Sequence, residues 1–292
     1  MSRDPFVTHR SLLFTVAYEM LGSAADAEDV VQETWLRWAA LEEATLAEVV
    51  DPRAYLVRIA TRQALNRLRT LARRREEYVG EWLPEPLLTS PDVADDVELA
   101  ESVSIAMLTV LETLTPTERA VFVLREVFDL PYDEIAAAVD KSAAAVRQVA
   151  HRAREHVAAR RPRMQVDRAE QRQVMERFLV AVTTGDMQGL MDVLAPDVVL
   201  VADGGGFADA VRVPVIGAKK VANLLRPFPR VVVMPEVGTI WLNGAIGARI
   251  HDEVGGTTIV SVVVEDGRIT RIYAMRNPHK LTALDDEAQL SR

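Results

Sequence analysis

Arg53, Arg58, Arg62, Arg67, Arg69, Arg73, Arg74 and Arg75 fall within 23 residues that contain no acid. A guanidinium stays charged and presents a planar fork of donors, so such a run suits phosphate oxygens and unstacked bases rather than proton transfer. A second basic block, residues 141–163, holds seven Lys or Arg against the single acid Glu155. Between the blocks, residues 81–101 hold seven acids and no base. The chain of 292 residues carries a formal net charge of −9, which taken whole argues against a nucleic-acid binder. Its segregation argues for two phosphate-tracking surfaces separated by an acidic linker.

A complementary acidic face lies ahead of the first basic block, in DAEDVVQETWLRW (26–38). Val30, Val31, Thr34, Trp35 and Trp38 form one stripe at helical period, and Asp26, Glu28, Asp29, Gln32 and Glu33 cover much of the rest. Ser23 or Asp26 can cap that helix. Proton-transfer candidates are few: Asp203, His251 and Asp252, each near a strand end with no partner that fixes an acid–base couple. The run Asp203-Gly204-Gly205-Gly206 follows a strand, but no helix opens directly after it and no Walker Lys is present, so it is not a nucleotide loop. There are no cysteines, which excludes disulfides, thiolate zinc sites and a Cys nucleophile and suits a reducing cytosol. We therefore assign no catalytic residue, no metal and no cofactor. No apolar run reaches the roughly 20 residues of a membrane span, and the first residues have no signal-peptide core. A cytoplasmic protein without membrane contact is expected.

Helical periodicity positions both basic blocks. The pattern predicts helices over about 6–21, ended by Gly22, over about 26–40, and from Pro52 to Arg75. An apolar helix follows at 103–113. Thr115-Pro116-Thr117-Glu118 is a capping-box start for a helix to about Phe128. A short helix at Tyr132–Val139, a turn at Asp140-Lys141, the cap Ser142 and a basic helix to about Arg160 make a helix-turn-helix. Arg147 and Gln148 suit base edges, and Arg152 and Arg154 suit phosphates.

DAEDVVQETWLRW followed by PRAYLVRIATRQALNRLR resembles region 2 of extracytoplasmic-function (ECF) sigma factors, and the helix-turn-helix resembles their region 4. The resemblance implies docking of Asp26, Asp29, Gln32, Glu33 and Trp35 on the β′ clamp of core RNA polymerase. It implies −10 recognition by Arg58, Thr61, Arg62, Asn66, Arg67 and Arg69. It also implies contact with the β flap, and −35 recognition by Ser142, Ala144, Ala145, Arg147, Gln148, His151, Arg152 and Arg154. Ala144 and Ala145 stand where the family often has Gly, which leaves base preference open.

The remaining third changes style. Helices at about 169–184 and 186–195 precede strand-like runs at 198–202, 231–234 and from Gly238 to Asn277. Helices first and a curved antiparallel sheet after indicate an α+β cone with an interior pocket. It resembles the SnoaL-like branch of the NTF2-like fold. The fold class is thus multidomain: two all-α sigma modules (1–76 and 104–163), an acidic Pro-containing linker (77–103) and a SnoaL-like domain (168–285). The whole chain resembles the SigJ-type group of ECF sigma factors. Its signatures are matched by Trp82-Leu83-Pro84-Glu85-Pro86, Asp203 to Gly206, and Asn277-Pro278-His279-Lys280-Leu281, with Phe207 where the group usually has Lys. The resemblance implies that the extension regulates the sigma modules in cis, by contact with region 2 and the linker. We expect Trp82 to Pro86 to pack near Asp203 to Gly206, because a solvated linker would waste a tryptophan. Whether a small molecule fills the C-terminal pocket stays open. Two rivals remain: a ligand-sensing regulator that binds DNA without polymerase, and a DNA-tethered cyclase or isomerase.

Overall fold

The computed structural model describes residues 4–75, 77–161, 167–232, 235–253, 256–282 and 284–292, with backbone alone at 72–75. Helices α1 (Pro5–Leu21), α2 (Ala24–Ala39), α3 (Glu43–Glu48) and α4 (Pro52–Arg75) come first. A 3-10 turn at Pro91–Asp95 precedes α5 (Val97–Val103) and α6 (Ile105–Leu111). Helix α7 (Pro116–Phe122) runs into a π turn at Val123–Val127, followed by α8 (Tyr132–Val139) and α9 (Ala143–Ala158). The C-terminal third contains α10 (Arg168–Thr184), α11 (Met187–Val193), β1 (Leu194–Asp203), β2 (Val215–Ile216), α12 (Ala218–Leu225) and α13 (Phe228–Val231). It ends in β3 (Glu236–Leu242), β4 (Ala245–Asp252), β5 (Gly256–Glu265) and β6 (Arg268–Met275).

Two compact units result. The first comprises Met1–Glu76, Met107–Arg161 and Gln289–Arg292, and is helical. Its helix ends follow from local chemistry. The Asp4 carboxylate accepts from Phe6 N–H, and Gly22 closes α1 at φ 67°. Ser23 caps α2, and Thr115 with Glu118 forms a reciprocal capping box on α7. Asp140 closes α8 at φ 56°, and Ser142 caps α9. The buried stripe of α4 (Leu56, Ala60, Ala64, Leu65, Leu68) packs with α1 and α2. Fully buried Arg119 ties α7 to α1, donating Nε to the Glu19 carbonyl at 2.9 Å while Nη1 pairs with Glu112.

The second unit comprises Glu77–Ala106 and Pro162–Ala288. Its sheet has the order β2-β1-β6-β5-β4-β3. Among the described strands only β1 and β6 pair in parallel; the remaining pairs are antiparallel. Asn243-Gly244 and Asp266-Gly267 make the tight hairpin turns with positive φ at both positions. One sheet face packs on α10, α11 and α12 through Val174, Met175, Phe178, Leu190, Val198 and Val262. The other face is covered by Leu83 of the acidic segment and by Ile105 and Ala106 just after it, which pack on Leu242, Ile259, Val263, Tyr273 and Met275.

The segment 77–103 packs on the second face of the sheet through Leu83, and it carries a 3-10 turn and α5 despite its prolines. Three expectations change. The helix expected over 103–113 is interrupted at Ser104, whose backbone is extended. The helix expected to reach Phe128 loosens at Val123, where Phe128 N–H bonds five residues back. The strand expected at 231–234 is absent as far as described: Val231 ends α13, and residues 233–234 lie outside the described residues.

Candidate functional sites

The acidic face of α2 is exposed at Asp29, Gln32 and Glu33, with Asp26 half-buried. Trp35 belongs to this rim rather than to the core, exposed by 39% with its ring 5.1 Å from that of Phe6. Arg67 meets three of these acids: Nε lies 2.6 Å from Asp26, Nη2 pairs with Asp29, and Nη1 lies 3.9 Å from Glu33.

The other −10 candidates divide. Arg58 stacks over the Tyr55 ring at 5.1 Å, and Asn66 accepts from exposed Arg69. Arg62 is exposed but donates to the Ala137 carbonyl of α8 at 2.8 Å. Thr61 is fully buried and cannot touch DNA from that position. A cleft of about 370 Å³ opens beside this helix, lined by Val49, Val50, Tyr55 and Arg58, with Glu134 and Ala137 from α8.

In α9, Val146, Val149, Ala150, Ala153 and Val157 are buried, leaving Ala144, Arg147, Gln148, His151 and Arg152 exposed. Ser142 is spent on capping Ala145 N–H. Arg147 rests 5.3 Å over the Tyr132 ring. Arg154 forms a two-nitrogen pair with Glu126, whose charge and hydrogen bonds hold the guanidinium above its ordinary pKa. His151 lies 3.6 Å from Glu155.

The second unit contains a buried polar centre on β1. Asp203 Oδ1 accepts from the Tyr78 hydroxyl at 2.6 Å. Its Oδ2 accepts from Leu83 N–H at 2.9 Å and from Lys280 Nζ at 2.7 Å. Lys280 also donates to the Leu83 carbonyl at 2.6 Å and sits 4.0 Å from the Trp82 ring centroid, a cation–π contact out of water. Asn277 donates to the Tyr78 oxygen at 2.7 Å. Burial, then the hydrogen bond to Asp203, pushes the Tyr78 phenol far above its ordinary value. Gly205 has φ 58°, and a Cβ there would lie 2.2 Å from Asn277 Nδ2, so only glycine fits.

These contacts bring together Trp82, Leu83, Asp203, Gly205 and Asn277 as expected from sequence; Pro84 and Pro86 are buried alongside, Glu85 is half-buried and Pro278 is exposed. Tyr78 and Lys280 were missed as site residues. Lys280 stood inside the noted Asn277–Leu281 motif, whereas nothing in sequence marks Tyr78. A second tie was also missed: Asn243 accepts from Leu87 N–H at 2.8 Å and donates to the Val103 carbonyl at 2.7 Å.

The helix-side face of the sheet is packed against Val174, Met175, Phe178, Leu190 and Val221. A cleft of about 450 Å³ opens beside loop 204–212, with Val79, Gly80, Phe207, Arg212 and Arg276 in its lining. Phe207 is exposed and meets His279 edge-on at 4.5 Å. His251 is exposed, 3.0 Å from Thr257 Oγ1, and Asp203 is committed to Lys280, so these two do not converge on a reactive centre. Among the described residues no His, Asp or Glu cluster fits a metal, and no helix is long and apolar enough to cross a membrane.

Residues 6–74 match the Sigma-70 region 2 family and residues 104–157 the Sigma-70 region 4 family. The ECF RNA polymerase sigma factor SigJ of Mycobacterium tuberculosis is 35% identical, over 97% of this chain and 94% of that protein. The probable ECF sigma factor SigI of the same species is 34% identical, over 96% of this chain and 94% of its own length. A crystal structure of M. tuberculosis SigJ aligns with a TM-score of 0.76 at 33% identity, covering 96% of this chain and 98% of that one. The similarity runs through both sigma regions, the docked linker and the C-terminal sheet, and the chain belongs to the extracytoplasmic-function RNA polymerase sigma factors.

Proposed function

We propose that this sigma factor, which binds core RNA polymerase and directs promoter-specific initiation, is controlled in cis by its C-terminal unit through the linker. The exposed acids of α2 with Gln32 and Trp35 meet the β′ clamp, where an acidic face suits a basic partner. Arg58, Arg62, Asn66 and Arg69 serve the −10 element, and Arg147, Gln148, His151 and Arg152 serve the −35 element, with the region 4 module meeting the β flap. The protein acts in the cytoplasm. The observation that carries regulation is the Asp203–Lys280 centre holding Tyr78, Trp82 and Leu83. Those residues lie on the only direct covalent path between the two DNA-reading modules, so linker docking and module spacing are coupled. A docked Trp contributes about 2–3 kcal/mol, enough to shift a two-state population by tens-fold and still reverse.

In vitro transcription on a promoter library tests this with full-length protein, a chain ending at Arg161, and Trp82→Ala. Both changes should alter promoter output while region 2 and region 4 stay folded by circular dichroism. Identical output from all three sinks the regulatory reading, and absence of core binding sinks the sigma reading.

A further inference from the structure

We infer that Arg67 is a positioning residue of the polymerase-docking surface and not a reader of the −10 element. The inference rests on the reading that the α2 acids meet polymerase.

Asp26, Asp29 and Glu33 lie three and four residues apart, so they share one face of α2. Like charges at those spacings repel and spread the side chains over many rotamers. Arg67 is the counterion that all three have in common: each of its three nitrogens faces a different carboxylate. Burial works against its charge, yet the hydrogen bonds and charges of Asp26 and Asp29 prevail and hold it above its ordinary pKa. To reach a phosphate, Arg67 would give up its contacts with three acids. Its place on α4 agrees. Arg62, Asn66 and Arg69 are exposed and share one stripe, while Arg67 lies about 100–160° from them round the helix, toward α2.

Exposed ion pairs add little stability, so the consequence is geometric. The fork holds Asp26, Asp29 and Glu33 in one arrangement before the partner arrives, which lowers the ordering cost of a multi-point contact. Removing Arg67 also makes the patch more negative, which by Coulomb attraction alone would favour a basic partner. The two effects have opposite sign, and the measurement separates them.

Full-length variants are titrated against core RNA polymerase by fluorescence anisotropy, and −10 base preference is read at saturating core from templates with substituted −10 elements. Arg67→Ala should weaken core binding roughly five- to tenfold, within the range of coupling in one ion-pair network. Its −10 preference should match wild type. Arg67→Lys, which keeps the charge but loses the planar fork, should fall between, and serves alone if Arg67→Ala folds poorly. Core affinity that is unchanged or tighter, or an altered −10 preference, overturns the inference. Asp29→Asn is measured alongside: if it binds core like wild type, the docking reading itself has failed, a result distinct from failure of Arg67 alone.

Discussion

Asp203 shows what one carboxylate can organise. It takes hydrogen bonds from a phenol, a backbone amide and an ammonium, all on or beside the linker, at full burial. Burying two charges costs a desolvation penalty that is offset only if their remaining donors and acceptors are satisfied, and here Leu83 and Tyr78 supply that. Breaking such a pair from one side leaves an uncompensated charge. Lys280→Met should therefore cost roughly 3–5 kcal/mol in urea unfolding of the second unit, and pairing it with Asp203→Asn should cost less than the two changes summed. The alkaline limb carries a further sign. Burial pushes the Tyr273 phenol up to about 12, and Tyr78 shifts in the same direction. A raised folded-state value means that stability is fully present below the ordinary phenol range near 10 and is lost as pH rises through about 12. Tyr273→Phe should flatten that decline in thermal melts recorded from pH 9 upward; an unchanged slope would remove Tyr273 as its source. Asp203 could be singled out from its place before three glycines. Tyr78 could not, because its partners are 125 and 199 residues away in the chain.

Helices with caps are local objects, and their ends were legible at Gly22, Ser23, Thr115 and Ser142 for that reason. The division of α9 into buried and exposed sides was legible too, since period 3.6 sets it. It supports separate outcomes for its exposed cations. Arg147→Ala should relax base preference within the −35 element by about 1–3 kcal/mol, whereas Arg152→Ala should weaken binding evenly across sequences and lower the salt slope by about 1. Footprinting of the polymerase complex over a salt series distinguishes them, and equal behaviour of the two variants would contradict the assignment. The linker was harder. Three prolines and seven acids over 81–101 describe a solvated chain as long as only neighbours in sequence count. Its apolar residues are sparse, but Leu83 is fully buried because a sheet face awaits it.

For the whole molecule, the chain passes between its two units after residues 76, 106, 161 and 288. The linker thus belongs to the sheet unit, while both its ends continue into the helical unit. A chain ending at Arg161 keeps the linker and loses the sheet it packs on. Backbone amides such as Leu83, Leu87 and Thr89, bonded to Asp203, Asn243 and Trp241, should then lose hydrogen-exchange protection by several orders of magnitude. Retained protection would mean that the linker is ordered without the sheet. Within the helical unit, α7 is held to α1 by buried Arg119, which burial lowers to about pKa 9 against the favourable charge of Glu19. Such a contact depends on satisfied polar partners as much as on apolar area, and region 2 and region 4 meet through it.

Sequence alone was enough for the helical modules, their charge segregation, the acidic face of α2 and the order of the domains, because these depend on periodicity, caps and composition within short windows. Only the tertiary structure decided that Leu83 of the acidic segment, with Ile105 and Ala106 just after it, covers a second sheet face, that Thr61 is buried, and that Arg67 faces three carboxylates of α2. Each of those depends on which residues distant in sequence come together, and neither spacing nor residue type encodes that until the chain has closed on itself.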